Sequence, residues 1–334
     1  MNRVERPKNE PIGLDVGTSR IVTARQTNHE ITYATQLNAF VSIPYSRMTE
    51  NVLQKEGVPH SVEGAEILIH GNESERFADL MGKDIRRTMT RGVLNPDEPD
   101  NVKLIRAITA SLTGSVEKGQ KLCFTVPAAP LGAEDTLTYH EATLRQILSE
   151  LGFEATSVNE GLAVVYAEME STNYTGIGIS CGGGLCNVCL SYLTVPVLSF
   201  SIPKAGDFID SSAASVTGDR PNSIRILKEQ SFHINGHFEN KLHQVLSVYY
   251  DDMIQALVAG LRKAVQGARN LPKLTRSIPL VLSGGSAIPK GFKDRFETIL
   301  RASDFPVALS EIRMAEDPLT ATAKGALVAA LSDY

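Results

Sequence analysis

The chain has 334 residues, of which 42% are hydrophobic and 21% are charged, and its formal net charge is −5. These values are typical of a globular protein long enough for two core-forming units, so disorder is excluded as the default state. The net negative charge provides no broad basic surface, and nucleic acid is therefore not expected as a partner.

The first segment, MNRVERPKNEP, is charged and has no apolar stretch behind it, so it predicts neither a secretory signal nor a membrane-binding helix. No window approaches the roughly 18 apolar residues that a membrane span requires. Three of the four cysteines lie close together, between residues 181 and 189, unlike the framework of a secreted disulfide protein. We expect a cytoplasmic protein with reduced thiols and no direct membrane anchor, so that any membrane attachment would go through protein partners.

The first elements in chain order are a hairpin and an inserted lobe. Apolar residues alternate on both sides of DVGTS within residues 11–26, which predicts two strands joined by a turn. Residues about 40 to 100 are polar and irregular, with NPDEPD as the clearest loop signal. We interpret this region as a smaller inserted lobe.

The middle of the chain alternates strands with helices. KLCFTVPAAP predicts a short strand, and the helix after it carries apolar residues at helical spacing and ends at Gly152. VNEGLAVVYAEM predicts a helix with Glu160 in its first turn, where the helix dipole alone favours a carboxylate. GIGISCGGGLCNVCL then predicts a hairpin around three glycines, followed by strand material that ends in a turn with Asp207 and Asp210.

The last third of the chain continues this alternation. Asn235 and Gly236 predict a two-residue hairpin turn, and MIQALVAGLRKAVQGA predicts an amphipathic helix. IPLVLSGGSAIPKGF predicts a buried strand that runs into a Gly-Gly turn and a helix, and a small-residue helix with Asp317 at its cap and Pro318 in its first turn ends the chain. The order of elements predicts an α/β fold with crossover connections.

Three glycine turns, DVGTS, SCGGGL and SGGSA, follow predicted strands. Ligands of α/β folds bind beyond the carboxyl ends of strands, and glycine lets backbone N–H groups approach an anion there. The chain has no Walker phosphate loop, and Cys181 stands where a dinucleotide motif that begins at Gly176 and Gly178 would need its third glycine. A nucleotide is expected, but in neither of those two folds.

Seven segments in this order resemble motifs of the actin-like ATPase superfamily, and are most similar to its bacterial MreB and MamK branch. They are IGLDVGTSR, VNEGLAVVYAE, GISCGGGLCNV, KAGDFID, RILKEQSF, LVLSGGSAIPKGF and EDPLTATAKGAL. The resemblance implies two related α/β domains around a nucleotide cleft, each with a smaller inserted subdomain. It also implies ATP or ADP with Mg2+ in the cleft, and self-assembly of the chain into filaments.

The resemblance also implies a division of the chain. Domain I would comprise residues 1–157, with about 40–100 as its small subdomain, and would be closed by the C-terminal helix 318–334. Domain II would comprise residues 158–317, with about 207–265 as its small subdomain.

The resemblance assigns roles to residues of these segments. Asp15 would face the metal and its waters, and Glu160 would orient the attacking water. The remaining residues would hold the nucleotide: Gly17, Thr18 and Ser19 in the first phosphate loop, Gly182, Gly183 and Gly184 in the second phosphate turn, Gly206 and Asp207 near ribose and phosphate, and Lys228, Glu229, Gly284, Gly285 and Ser286 around the adenosine. From the sequence alone, Asp15 could be a turn residue, and Lys228 and Glu229 could be a solvated charge pair.

Two positions depart from the resembled family. Its second phosphate turn usually has an aspartate two places before the glycines and a threonine after them, where this chain has Ser180 and Leu185. Phosphoryl transfer depends on groups that position water and metal around spreading negative charge. We therefore expect ATP binding to persist and hydrolysis to be slow or lost.

The spacing of Cys181, Cys186 and Cys189 matches part of a ferredoxin pattern, with Cys123 as the remaining thiol. On a strand, Cys186 and Cys189 would point to opposite faces, so small buried thiols are the preferred interpretation.

Three functions stay open at the sequence level. They are an ATP-binding filament protein with slow hydrolysis, a non-polymerising nucleotide-binding scaffold and a small-molecule kinase. The kinase ranks third because no segment identifies a catalytic base with a sugar pocket. A chaperone would need a further domain after residue 334, which the sequence does not give.

Overall fold

The computed structural model describes residues 10–131, 137–234, 236–268, 271–274 and 276–332. The strands in these ranges are β1 Ile12–Val16, β2 Arg20–Thr27, β3 Glu30–Leu37, β4 Ala39–Pro44, β5 His60–Glu63, β6 Glu66–His70, β7 Arg86–Arg87, β8 Met89–Thr90, β9 Val93–Leu94, β10 Gln120–Val126, β11 Phe153–Asn159, β12 Gly176–Cys181, β13 Cys186–Tyr192, β14 Val195–Ile202, β15 Ile278–Ser283 and β16 Leu309–Met314. The helices are α1 Arg47–Lys55, α2 Glu73–Met81, α3 Asn101–Thr113, α4 Thr138–Glu150, α5 Glu160–Glu168, α6 Gly206–Thr217, α7 Pro221–Ser231, α8 Lys241–Gly267, α9 Phe292–Arg301 and α10 Ala321–Ser332.

Two five-stranded sheets share one topology. Their strand orders are β3-β2-β1-β10-β11 and β14-β13-β12-β15-β16. In each sheet three consecutive strands form an antiparallel meander, and two later strands add in parallel beside the first strand of that meander. The predicted α/β class and the implied pair of related halves are confirmed by this repetition.

The central strands are apolar because helices cover both faces of each sheet. All residues of β12 and β15 are buried, and four of the five residues of β1 are buried. The outer strand β3 instead has no fully buried residue. Continuous apolar runs are the pattern of strands buried on both faces, so these sequences fix which strands lie at the centre.

Helices α5 and α10 each pack on the sheet of the other half. Helix α5 follows β11 of the first sheet but packs on β12 and β13, whereas α10 follows β16 of the second sheet but packs on β1 and β10. Glycine permits the close approach, because a Cβ on Gly325 would lie 1.8 Å from the carbonyl oxygen of Ala163. The crossing places the first residue of α5, Glu160, between the halves.

The region predicted as polar and irregular contains a four-stranded sheet in the order β5-β6-β4-β7, so it is more regular than its composition indicated. Strands β4 and β6 bury the core of this lobe, together with Leu53 of α1 and Ala78 of α2. In the other half, α6, α7 and α8 lie between β14 and β15 in sequence.

The hairpin turn predicted at Asn235 and Gly236 includes Asn235, which lies outside the described residues. Two other local predictions differ from the structure. The segment that carries Asp207 is the start of α6 rather than a turn. The last helix begins at residue 321, because the Asp317 carboxylate accepts hydrogen bonds from Leu319 N and Thr320 Oγ1 and holds a separate turn.

Within the described ranges, no helix has the length and apolar character needed to cross a membrane.

Candidate functional site

A cavity of about 540 Å3 opens between the two halves, at the carboxyl ends of their central strands. The three glycine turns predicted from the sequence meet along it. It is lined by every residue predicted for the site, namely Asp15, Gly17, Thr18, Ser19, Glu160, Gly182, Gly183, Gly184, Gly206, Asp207, Lys228, Glu229, Gly284, Gly285 and Ser286. The structure thus brings these residues together, while the role of each one stays a prediction.

The first turn joins β1 to β2. Gly17 N donates a hydrogen bond to the carbonyl oxygen of Arg20 at 2.9 Å, and Asn38 Nδ2 donates to the Gly17 carbonyl at 2.9 Å. The buried Thr18 hydroxyl accepts from Gly92 N at 3.1 Å, which ties the turn to the loop between β8 and β9. These bonds give the turn a fixed shape without any ligand.

The second turn, at the end of β12, is built on backbone bonds. Gly182 N donates to the carbonyl oxygen of Leu185 at 2.9 Å, and Asp207 N donates to that of Gly183 at 2.8 Å. A Cβ on Gly183 would lie 2.3 Å from Ser19 Oγ, and one on Gly184 would lie 2.4 Å from Gly92 N. Only glycine therefore lets the first and second turns touch across the cleft.

The third turn follows β15 and contacts the second. Gly284 has a φ of +90°, and a Cβ there would lie 2.3 Å from the carbonyl oxygen of Cys181. Ser286 Oγ donates to the Gly182 carbonyl at 2.8 Å. Residue 284 must therefore be glycine, both because its φ is positive and because a side chain would collide with the Cys181 backbone.

Asp15, the polar residue of β1, is half-buried at the cleft. Its two oxygens accept from Thr125 Oγ1 at 2.6 Å and from Thr322 Oγ1 at 2.7 Å. Burial raises the pKa of the Asp15 carboxyl above its usual value, and the two hydroxyl donors oppose that shift. Thr322 comes from α10, so a helix of the far C-terminal region helps to hold this carboxylate.

Glu160 begins α5 and is also half-buried. Its Oε2 accepts from Asn187 Nδ2 at 2.9 Å and from Ser180 Oγ at 3.2 Å. Burial, and then the negative charge of Asp15, raise the pKa of Glu160 to about 8. A simple helix-dipole partner would be ionised at neutral pH, whereas the Glu160 carboxyl in the ligand-free cleft is mostly protonated.

Asn187 was missed by the sequence interpretation. It lies opposite Ser180 in the register of β12 and β13, and its Oδ1 accepts from Ala128 N at 2.8 Å. Because that bond fixes the amide orientation, its Nδ2 points at Glu160 as a donor. The only signal in the sequence was side-chain alternation. Asn187 lies two residues after Leu185, and side chains two residues apart in an extended segment point to the same face.

The residues predicted near the adenosine form ion pairs. Lys228 Nζ lies 2.6 Å from Asp210 Oδ1, and both side chains are only 6% exposed, so Lys228 is not part of a solvated charge pair. Glu229 pairs with Arg225 at 3.1 Å and with Arg20 at 3.3 Å.

Several ion pairs cross the cleft between the halves. Arg225 of α7 pairs with Glu75 of α2, Arg20 pairs with Glu229, and Arg87 of β7 pairs with Asp207 at 2.7 Å. The partners are more than 100 residues apart in sequence, which is why no motif could identify them.

The four cysteines are buried, and none of them is in a disulfide. Cys181 and Cys186 belong to one apolar cluster, and Cys123 and Cys189 belong to another. Among the described residues, no group of three or more His, Cys, Asp or Glu could hold a metal by itself. The thiolate cluster is therefore not supported. The pair Asp15 and Glu160 suits Mg2+ held mainly by phosphates and water, since that ion commonly takes one or two protein carboxylates.

Comparisons with known proteins identify the same architecture. The model of the Volactin family matches residues 11–330. A sequence search of curated proteins gives no significant match. A MamK double helical filament structure superposes with a TM-score of 0.72 at 18% identity, covering 97% of this chain and 98% of that chain.

Two further structures have the same fold. MreB5 of Spiroplasma citri bound to ADP gives a TM-score of 0.66 at 14% identity, covering 95% of this chain and 94% of that chain. The ethanolamine utilization protein EutJ from Carboxydothermus hydrogenoformans gives 0.58 at 16% identity, covering 98% and 91%. The fold is that of the actin-like ATPases.

Proposed function

The chain belongs to the Volactin family, and on that premise we propose that it is a cytoplasmic actin-like cytoskeletal protein. It binds ATP with Mg2+ in the cleft between its halves and polymerises with itself into filaments. Hydrolysis is slow, because the second phosphate turn carries Ser180 and Leu185. The likeness to MamK and to nucleotide-bound MreB5 supports this proposal at the level of the fold.

The observation that carries the proposal is the convergence of the three glycine turns on one cavity beside two half-buried carboxyls. Backbone N–H groups in such turns bind phosphate without needing a particular side chain. A cavity of about 540 Å3 is also within the size range of small-molecule sites.

In this proposal the domain division is that expected from the sequence, with residues 1–157 and the last helix in domain I and residues 158–317 in domain II. The packing of α10 on β1 and β10 supports the assignment of the last helix. The four-stranded inserted sheet and the segment α6–α8 would be the small subdomains.

The two carboxyls have different tasks in this proposal. Asp15, held by two threonine hydroxyls, would face the metal, whose charge would offset that of the phosphates. Glu160, held by Asn187 and Ser180, would orient the attacking water. At position 180 the resembled family has an aspartate, whose carboxylate would add a second negative charge beside Glu160. Ser180 provides only a hydroxyl there, so water activation is weak.

Ser180→Asp is expected to raise phosphate release from Mg2+-ATP by at least about tenfold, because it adds a water-positioning carboxylate beside Glu160. Ser180→Asn is the matched control, since asparagine has the same shape as aspartate but no charge. Phosphate release is measured under single-turnover and steady-state conditions. Fast turnover by the unmodified chain that Glu160→Ala abolishes would show that a carboxylate at this position is dispensable.

Filament formation is tested by sedimentation and electron microscopy of the full chain with ATP, with ADP and without nucleotide. We expect pelleted filaments with ATP and fewer without nucleotide. A chain that stays monomeric at micromolar concentration in all three conditions would overturn polymerisation as its function.

The second candidate is a non-polymerising nucleotide-binding scaffold. It is favoured by Leu185, whose buried side chain contacts Gly92 across the cleft at the place where the resembled family has a hydroxyl. Such a scaffold would bind ATP, as measured by calorimetry, but would not pellet in the sedimentation experiment with ATP, with ADP or without nucleotide.

A further inference from the structure

Strand β7 carries two adjacent arginines whose side chains go to different places. Arg86 Nε donates to Glu98 Oε1 at 3.0 Å, and its guanidinium lies 4.7 Å from the centre of the Phe40 ring. Arg87 does not line the cavity itself but binds two residues that do, since its Nη1 donates to Ser19 Oγ at 2.9 Å and to Asp207 Oδ1 at 2.7 Å. Arg87 therefore brings a cation from the inserted sheet to residues of both halves.

Ser19 and Asp207, the two residues that Arg87 bonds, both lie beside Gly183 of the second glycine turn. A Cβ on Gly183 would lie 2.3 Å from Ser19 Oγ and 3.5 Å from Asp207 Oδ1. Asp207 N also donates to the Gly183 carbonyl at 2.8 Å. The guanidinium is thus placed within a few ångströms of the backbone that would hold phosphate.

The contacts along the cleft run in a series from the third turn to the first. Ser286 of the third turn bonds Gly182 of the second, and Gly183 and Gly184 of the second turn meet Ser19 and Thr18 of the first. Arg87 bonds Ser19 of the first turn and Asp207, whose N–H donates to Gly183 of the second turn, so it stands at the junction of these two turns. If adenosine lies by the third turn, this junction receives the last phosphate.

The guanidinium of Arg87 keeps donors available for an anion. Both of its bonds use Nη1, and no described residue accepts a hydrogen bond from its Nε or Nη2. Its side chain is 21% exposed, so those donors are not enclosed in protein. A planar guanidinium with a free N–H pair matches the geometry of phosphate oxygens.

We propose that Arg87 discriminates nucleoside triphosphate from diphosphate by binding the terminal phosphate of ATP. The inference rests on the proposed nucleotide site and adds to it a residue outside the three glycine turns. Ser19 and Asp207 position the guanidinium, so that the binding of the last phosphate is joined to the contact between the two halves.

Calorimetry of the full chain with Mg2+ and either ADP or the non-hydrolysable ATP analogue AMPPNP tests this role. Arg87→Gln should weaken AMPPNP binding about 10- to 100-fold, the usual value of a hydrogen bond to a charged group, and change ADP binding by no more than about threefold. Arg87→Lys should recover part of the AMPPNP affinity. Arg86→Gln, on the same strand, should leave both affinities unchanged, and thermal unfolding verifies that each variant is folded.

If Arg87 only ties the halves together, Arg87→Gln will weaken AMPPNP and ADP equally, and the proposal is wrong. If the unmodified chain binds neither nucleotide, the proposed nucleotide site itself falls, and the role of Arg87 falls with it.

Discussion

Glu160→Gln is expected to make the nucleotide-free protein more stable at pH 8.5 and to change its stability little at pH 4.5. The folded-state pKa of Glu160 is about 8, compared with 4.5 for the exposed side chain. Between these values the folded chain keeps a proton that the unfolded chain has released, so stability falls as pH rises from 4.5 to 8. A shift in this direction makes ionisation of Glu160 in the folded chain cost on the order of a few kcal/mol. Glutamine removes that cost and can still accept from Ser180 and Asn187.

The measurement is the free energy of unfolding in urea at the two pH values, without nucleotide or Mg2+. Glu170→Gln is the control, because Glu170 lies just beyond the end of α5 and is exposed. A gain from Glu160→Gln that is equal at both pH values would show that the charge of Glu160 is not its cause.

A stability gain at this position would identify Glu160 as a residue kept for function at the expense of stability. Nothing in the packing of α5 requires an acid at its start, because Asn159 already caps the helix through Gly161 N and Leu162 N. The charge of Asp15 opposes ionisation of Glu160, and a bound cation would offset that repulsion by pairing with both carboxylates.

The parts of the fold that were predicted correctly are those with a local signal. Hairpin β1–β2, helix α5 and strand β15 each follow from periodicity and from glycine over fewer than twenty residues. The glycine turns were also predicted correctly. Their close contacts exclude larger residues, so the glycines themselves are visible in the sequence. Their meeting on one cavity followed from the resemblance, and no single turn implied it.

The parts that were missed depend on distant residues or on misleading composition. Thr125 and Thr322 hold Asp15 from strand β10 and helix α10, and no spacing links them to β1. Helix α6 begins with Gly206 and Asp207, whose types favour turns, and it is held by bonds to the second glycine turn.

Gly325→Ala is expected to destabilise the protein by more than about 3 kcal/mol, although alanine normally favours a helix over glycine. The added Cβ would lie 1.8 Å from the Ala163 carbonyl oxygen and 2.7 Å from its Cα, so helices α5 and α10 would have to separate. Gly267→Ala is the matched control, because a Cβ at the end of α8 meets nothing within 4 Å. Unfolding in urea compares the two variants.

The same substitution should also disturb the site in molecules that remain folded. Thr322, which donates to Asp15, stands one helical turn before Gly325, and Glu160 stands one turn before Ala163. Separating the helices therefore moves a donor of one carboxylate and the backbone of the other. We expect weaker Mg2+-ATP binding by Gly325→Ala under conditions where it is folded, measured by calorimetry. Stability and affinity equal to those of the unmodified chain would show that the crossing of α5 and α10 opens without cost and does not position the two acids.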